Sequence, residues 1–141
     1  MRFWDSSALV PLHVDDSQTA GMRALLRTDS KVAVWWATPV ECASALARRN
    51  REAMLSDDEY AKAFNALKWT LKGWRAIRPS QFLRYHAMRF VRIHGLKAAD
   101  AIQLAAATTW ALDSMGGRQF VSLDGRLRAK ALLEGFTVLP E

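Results

Sequence analysis

Val32-Ala33-Val34-Trp35-Trp36-Ala37-Thr38-Pro39-Val40-Glu41 joins a strand to a helix with two residues between them. The first four residues are apolar, short in run and rich in β-branching, as in a strand buried on both faces. Thr38 with Glu41 three residues later, and Pro39 at the first helical position, reads as a capping box that opens a helix to about Arg51. A fully buried strand feeding straight into a helix is half of a βαβ unit.

The same alternation extends in both directions. Upstream, Phe3-Trp4 is a short apolar strand ending at Asp5, and Ser6 or Ser7 N-caps a helix reaching Leu12 or Val14, with Pro11 in its first turn. A second helix spans Asp16 to Arg27. Downstream, Ser56 and Glu59 repeat the capping box, and Tyr60, Phe64, Leu67, Leu71 and Trp74 form one buried stripe. Ala76-Ile77-Arg78 is a short strand, Phe82 to His94 a helix stopped by Gly95, and Lys97 to Leu112 an alanine-rich helix. Gly116-Gly117 breaks the chain before a strand, Phe120-Val121-Ser122-Leu123, that ends at Asp124. A helix from Arg126 to Glu134, Gly135 and the strand Phe136 to Leu139 follow. Strands alternating with helices predict an α/β fold, a parallel sheet covered on both faces, within one domain spanning 1–141. In such sheets the functional crevice lies at the carboxyl ends of the strands, where strand order reverses.

Bulk properties narrow the function classes. With 141 residues the chain supports one core, hiding roughly 68% of its unfolded surface. A single cysteine, Cys42, excludes an internal disulfide framework, and three histidines with one thiol cannot build a zinc cage. A reducing cytoplasm is the expected setting, and no apolar run suggests a signal or a membrane span. The net charge of +6 and the pI of about 10.0 imply a basic surface that attracts polyanions without choosing among them. No P-loop or Gly-rich dinucleotide loop is present.

The acids carry the sharper signal. Asp5 and Asp124 follow predicted strands, while Glu41 and Asp100 fall in the first turns of helices, so all four can face one edge of the sheet. Carboxylates without imidazole or thiolate offer only hard oxygen donors, which suits Mg²⁺ or Mn²⁺. Two such ions about 4 Å apart are the usual arrangement for phosphodiester cleavage. Taken singly, each acid has a second reading: Asp5 and Asp124 as helix caps, Glu41 as a capping-box residue, Asp100 as a complement to a helix N-terminus. Asp100 fits that second reading least, because Ala98, Ala99 and Ala101 surround it with small apolar groups.

Four segments, Asp5-Ser6-Ser7-Ala8-Leu9, Glu41 at the head of its helix, Ala99-Asp100-Ala101-Ile102-Gln103-Leu104-Ala105 and Phe120-Val121-Ser122-Leu123-Asp124, together resemble the PIN-domain family. More narrowly, the chain resembles the VapC-type toxins of toxin–antitoxin pairs, because the likeness spans nearly its whole length. That resemblance implies a three-layer α/β/α sandwich with a central parallel sheet of about four or five strands. It also implies a homodimer, hydrolysis of RNA with Mg²⁺ or Mn²⁺, and neutralisation by a small antitoxin. Carried over by position, Asp5, Glu41, Asp100 and Asp124 are the metal-site acids. Ser7 is the small polar residue that orients the first acid, and Ser122 is the hydroxyl residue before the fourth, where threonine is more usual.

Arg48, Arg49 and Arg51 lie on the helix led by Glu41, and Arg126, Arg128 and Lys130 follow Asp124. Arg48 and Arg126 are the candidates for substrate phosphate, against the alternative of solvated helix faces. Trp69 projects opposite the Tyr60 to Trp74 stripe and is expected in an antitoxin-binding or dimer surface. His13, His86 and His94 lack metal-pair spacing and read as packing or surface residues, and Cys42 as a small core residue. Three rivals stand beside the toxin reading: a PIN-type RNA-processing nuclease without an antitoxin, an inactive RNA-binding scaffold, and a receiver-like signalling module. The last needs a lysine on the final strand, and here Pro140-Glu141 follows Leu139.

Overall fold

The computed structural model describes residues 1–113 and 117–141. In chain order the elements are β1 (Arg2–Trp4), α1 (Ser6–Leu9) with a 3₁₀ turn (Val10–Leu12), α2 (Thr19–Thr28), β2 (Val32–Trp35) and α3 (Thr38–Arg51). They continue as α4 (Asp57–Thr70) with a 3₁₀ turn (Leu71–Gly73), β3 (Arg75–Ile77), α5 (Gln81–His94), α6 (Ala98–Asp113), β4 (Gln119–Val121), α7 (Gly125–Leu133) and β5 (Thr137–Leu139).

All strand pairs are parallel, in the order β3-β2-β1-β4-β5. The chain steps outward from β1 through β2 to β3, then crosses back to β4 and β5. Because crossovers are right-handed, reversing the direction of travel moves the helices to the other face. Side-chain alternation along the strands records that division. Phe3, Ala33, Phe120 and Val138 point into a core shared with α5, α6 and α7. Trp4, Val32, Val34, Val121 and Leu139 point into a second core beneath α1 to α4. The result is a three-layer α/β/α sandwich whose switch point lies between β1 and β4.

The alanines of α6 set the spacing of the first core. Ala101, Ala105, Ala106 and Ala107 are fully buried, which lets the helix axis approach both α5 and the sheet. Leu104 and Trp110 fill what remains, with Trp110 tilted against Phe3 at 6.2 Å between ring centroids. Gly95 closes α5 in the left-handed conformation, φ 61°, as expected of a helix C-cap. No helix of the described residues is long and apolar enough to cross a membrane.

Several local expectations are corrected. Asp5, rather than Ser6 or Ser7, caps α1, and that helix passes into a 3₁₀ turn at Val10. The second helix begins at Thr19 instead of Asp16, because Asp16 and Thr19 spend their side chains on a turn around Gln18. At α3 the expected capping box is absent: Ala37 is the N-cap without a side-chain bond. Thr38 is instead buried against Gln103, and the Glu41 side chain turns elsewhere. The second capping box, Ser56 with Glu59, is present. Trp74 falls beyond α4, β3 starts at Arg75, and β4 ends at Val121, three residues before Asp124. Gly116 lies outside the described residues, and Gly117 has φ 114°.

Candidate functional site

The carboxyl ends of β1 and β4 are adjacent, so the residues leaving them meet. The Asp5 amide donates to the Val121 carbonyl at 2.9 Å, carrying the β1–β4 ladder one step past the strand. That fixes Asp5 over the switch point with only 4% of its surface exposed. Its Oδ2 accepts from the Ser7 hydroxyl at 2.5 Å, the Ser7 amide at 3.2 Å and the Ser122 hydroxyl at 3.1 Å. Its Oδ1 has one long contact, from the Ser6 hydroxyl at 3.4 Å.

Ser7 and Ser122 are wired alike. Each hydroxyl donates its single proton to Asp5 and accepts a backbone amide, Leu123 at 2.9 Å on Ser7 and Asp124 at 3.1 Å on Ser122. With both protons directed at the carboxylate, the 3.3 Å approach of the two hydroxyl oxygens is proximity without a proton to share. The pair therefore locks the loop after β4 onto the acid at the end of β1. Both serines thus hold Asp5 Oδ2 from opposite sides of the β1–β4 junction.

Glu41, freed from capping, enters from α3. Its Oε2 accepts from Ser6 Oγ at 3.0 Å and from Gln103 Nε2 at 2.9 Å. Gln103 is 1% exposed and also pairs with Thr38 Oγ1 at 3.0 Å, so one amide fixes both the start of α3 and the carboxylate. Asp100 stands one turn earlier on the same helix, half-buried, and its side chain accepts no hydrogen bond among the described residues. Asp124 is exposed and caps α7, its Oδ1 accepting from the Leu127 amide at 2.8 Å.

Electrostatics tie the acids together. Burial pushes the Asp5 carboxyl above its usual range, partly offset by the Ser7 and Ser122 bonds. Burial likewise raises Glu41, opposed by Gln103 and Ser6 and reinforced by the charges of Asp5 and Asp100. Asp100 is raised by burial, then by Asp124 and Asp5, with Arg126 and Lys97 pulling the other way. Glu41 and Asp100 thus both feel Asp5, and Asp100 also feels Asp124. None of the four forms an ion pair among the described residues.

In donor chemistry the group fits a hard divalent cation, since it offers carboxylate oxygens alone and none of them is in an ion pair among the described residues. It is not a finished cage. Among the described residues no three His, Cys, Asp or Glu side chains already stand together as an ion-holding group. Ser6, Thr38 and Gln103 are the site residues that sequence reasoning assigned no such role. The available signal was Gln103, an amide three residues after Asp100 within the apolar run Ala101 to Ala107.

The basic candidates separate. Arg48 is exposed and its side chain makes no hydrogen bond among the described residues. Arg49 pairs with Asp16 at 3.1 Å. Arg126 reaches Gly95 O at 2.6 Å while its charge acts on Asp100. Arg128 is committed to the Ser122 and Pro140 carbonyls at 2.7 and 2.6 Å, which makes it a brace for the β4 and β5 ends. Cys42 is wholly buried, its thiol pushed up to about 12 by burial and by the charges of Asp5 and Glu41, and so is inert. His13 bonds Leu9 O and Thr70 Oγ1, and His94 bonds Glu134, so neither joins the acids. Trp69 is 70% exposed with Lys72 Nζ 4.1 Å from its ring centroid.

No protein-family model matches the chain. No curated protein matches it in sequence. In three dimensions it is similar to the crystal structure of PAE2754 from Pyrobaculum aerophilum, with a TM-score of 0.69 and 25% identity, over 98% of this chain and 88% of that one. That likeness covers the entire sandwich and supports the three-layer α/β fold.

Proposed function

We propose that the chain is a divalent-metal-dependent endoribonuclease of the PIN-domain kind, acting as the toxin of a VapC-type toxin–antitoxin pair. One observation carries the reading. Four carboxylates from separate elements gather at the switch point of a parallel sheet, Asp5 and Asp100 acting on Glu41 and Asp5 and Asp124 on Asp100, and none has an ion pair among the described residues. Such an arrangement is costly to keep unless a cation relieves it.

In this reading Asp5, Glu41, Asp100 and Asp124 hold Mg²⁺ or Mn²⁺, which when bound supplies Lewis acidity toward a phosphate and lowers the pKa of water. The chain's own residues prepare the place. Ser7 and Ser122 occupy Asp5 Oδ2 and leave Oδ1 less encumbered. Gln103 and Ser6 hold Glu41 by Oε2. Asp100 has no bond to break before it turns toward a cation, and Asp124 presents its outer oxygen while capping α7. Arg126 beside Asp100 and Arg48 along α3 are the proposed contacts for RNA phosphates. A small antitoxin and a second copy of the chain are the proposed protein partners, with Trp69 in one of those surfaces.

The test is cleavage of RNA, with 5′-end mapping, by wild type and by Asp5→Asn and Asp100→Asn. Loss of cleavage in both variants with an unchanged circular dichroism spectrum, and loss in wild type on adding EDTA, is the expected result. Full activity in either variant would falsify the assignment. The lack of a ready three-residue ion site favours one second reading, an RNA-binding domain without catalysis. RNA binding that survives EDTA, with no cleavage in Mg²⁺ or Mn²⁺, selects it.

A further inference from the structure

Away from the acids, α5 leaves an apolar face uncovered. Its core side is complete, with Leu83, Ala87 and Phe90 buried under the sheet. Tyr85, Met88 and Val91, 67%, 67% and 44% exposed, fall within an arc of about 120° on another side at 100° per residue. Beside them runs a groove of about 300 Å³ between α5 and α6, walled by Trp35, Leu83, Ala87, Met88, Val91 and Ile102. Contiguous exposed apolar residues beside a groove are a mark of contact surfaces.

The groove is not part of the acid site. On α6 it is lined by Ala98, Ala101 and Ile102, whereas Asp100 lies about 150° round the same helix. Its polar side chains are Ser80 and Arg84. The charge around it is one-sided. From Arg75 to Ala99 the sequence contains six Lys or Arg residues and no Asp or Glu. Arg89 is paired, to Glu134 at 3.4 Å, while Arg84 and Arg92 have no ion pair among the described residues.

We propose that the groove between α5 and α6 is a docking site for an acidic amphipathic helix of a protein partner. This inference does not depend on the nuclease reading. A ridge at Arg84, Met88 and Val91, spaced i, i+4 and i+7, next to a groove is the receiving geometry for a helix that projects apolar residues at the same spacing. The α5 length of 14 residues, about 21 Å, accommodates three to four turns. Charge selects the occupant. A second copy of the same patch brings no acid from this stretch to meet Arg84 and Arg92, whereas acidic flanks on an incoming helix pair with both. Apart from Trp35 the apolar walls are aliphatic and methionine, which suits leucine-like side chains.

Fluorescence anisotropy tests this with a fluorescein-labelled 14-residue peptide, leucine at helical spacing on one face and glutamate elsewhere. Its lysine-for-glutamate counterpart and a labelled single-stranded RNA dodecamer in EDTA form the other arms. Wild type should bind the acidic peptide saturably, at least tenfold more tightly than the lysine peptide. Met88→Glu should weaken it tenfold or more and Arg84→Glu about fivefold, with melting temperature and RNA binding unchanged because both side chains lie off the core. No binding of the acidic peptide, or equal binding by Met88→Glu, overturns the proposal. So does RNA binding lost in Met88→Glu, which marks a nucleic-acid surface, or a wild-type dimer that this variant turns into monomer, which marks a second copy.

Discussion

Replacing Gln103 with leucine keeps the volume of the side chain and removes two hydrogen-bonding connections. Thr38, fully buried, loses its partner at 3.0 Å, and Glu41 loses a donor at 2.9 Å. A buried neutral group left unpaired costs about 1–3 kcal/mol, and a bond to a charged group contributes about 1.5–3 kcal/mol. Water reaches the half-buried Glu41, and the leucine recovers some apolar burial, so the net loss should be about 2–4 kcal/mol. With an unfolding entropy of about 2.1 cal/mol/K per residue, a chain of this length loses about 3 °C per kcal/mol, so Tm should fall by about 7–13 °C. Thermal melts followed by circular dichroism in EDTA measure it. Gln103→Glu is the companion, because it sets a second carboxylate where the amide donated to Glu41. Two such acids must share a proton, so this variant should be less stable than Gln103→Leu at pH 7 and recover as pH falls toward 4. A leucine variant melting within about 2 °C of wild type, or a glutamate variant more stable at pH 7 than at pH 5, refutes the bridging role.

The raised carboxyls of Asp5, Glu41 and Asp100 fix a sign for pH dependence. Between the unfolded value and the higher folded one the native state holds more protons, so stability falls as pH rises through that window and then levels off. Asp5→Asn should be more stable than wild type at pH 7 in EDTA, with the gap closing in melts below the ordinary carboxylate range. Under the proposed function, Mn²⁺ at about 100 times its Kd should add about 2.7 kcal/mol, raising Tm by about 9 °C in wild type and far less in Asp5→Asn. Differential scanning fluorimetry reads both. Gly95→Ala meets no neighbouring atom but puts a side chain at φ 61°, so urea unfolding should show a loss of about 1 kcal/mol and no change in m-value. Trp69→Ala should leave Tm within about 2 °C, since the indole is exposed, and under the proposed function should weaken antitoxin binding or dimerisation, measured by calorimetry and sedimentation.

Much of the architecture is legible locally. The β2 strand, the Ser56–Glu59 capping box and the Gly95 stop each depend on residues within a turn or two of one another, and all three appear where periodicity and capping chemistry put them. The four acids are legible as candidates for the same reason: each stands near a strand end or a helix start. The capping box predicted at Thr38 and Glu41 fails because a competing partner, Gln103, arrives from 65 and 62 residues away. Local propensity has no access to that contact.

A parallel α/β domain with a two-sided core, an excess of basic residues and a set of oxygen-donor acids are all readable from local sequence, because alternation and capping act over short stretches of chain. Long-range packing is what lets Ser122 hold Asp5 across 117 residues, gives Glu41 to Gln103 rather than to a helix cap, and turns Arg128 onto carbonyls instead of toward solvent. It also decided that α5 keeps an apolar face beside a groove. Those outcomes depend on which strand ends become neighbours when the order reverses at β1, and that is a property of the assembled sheet.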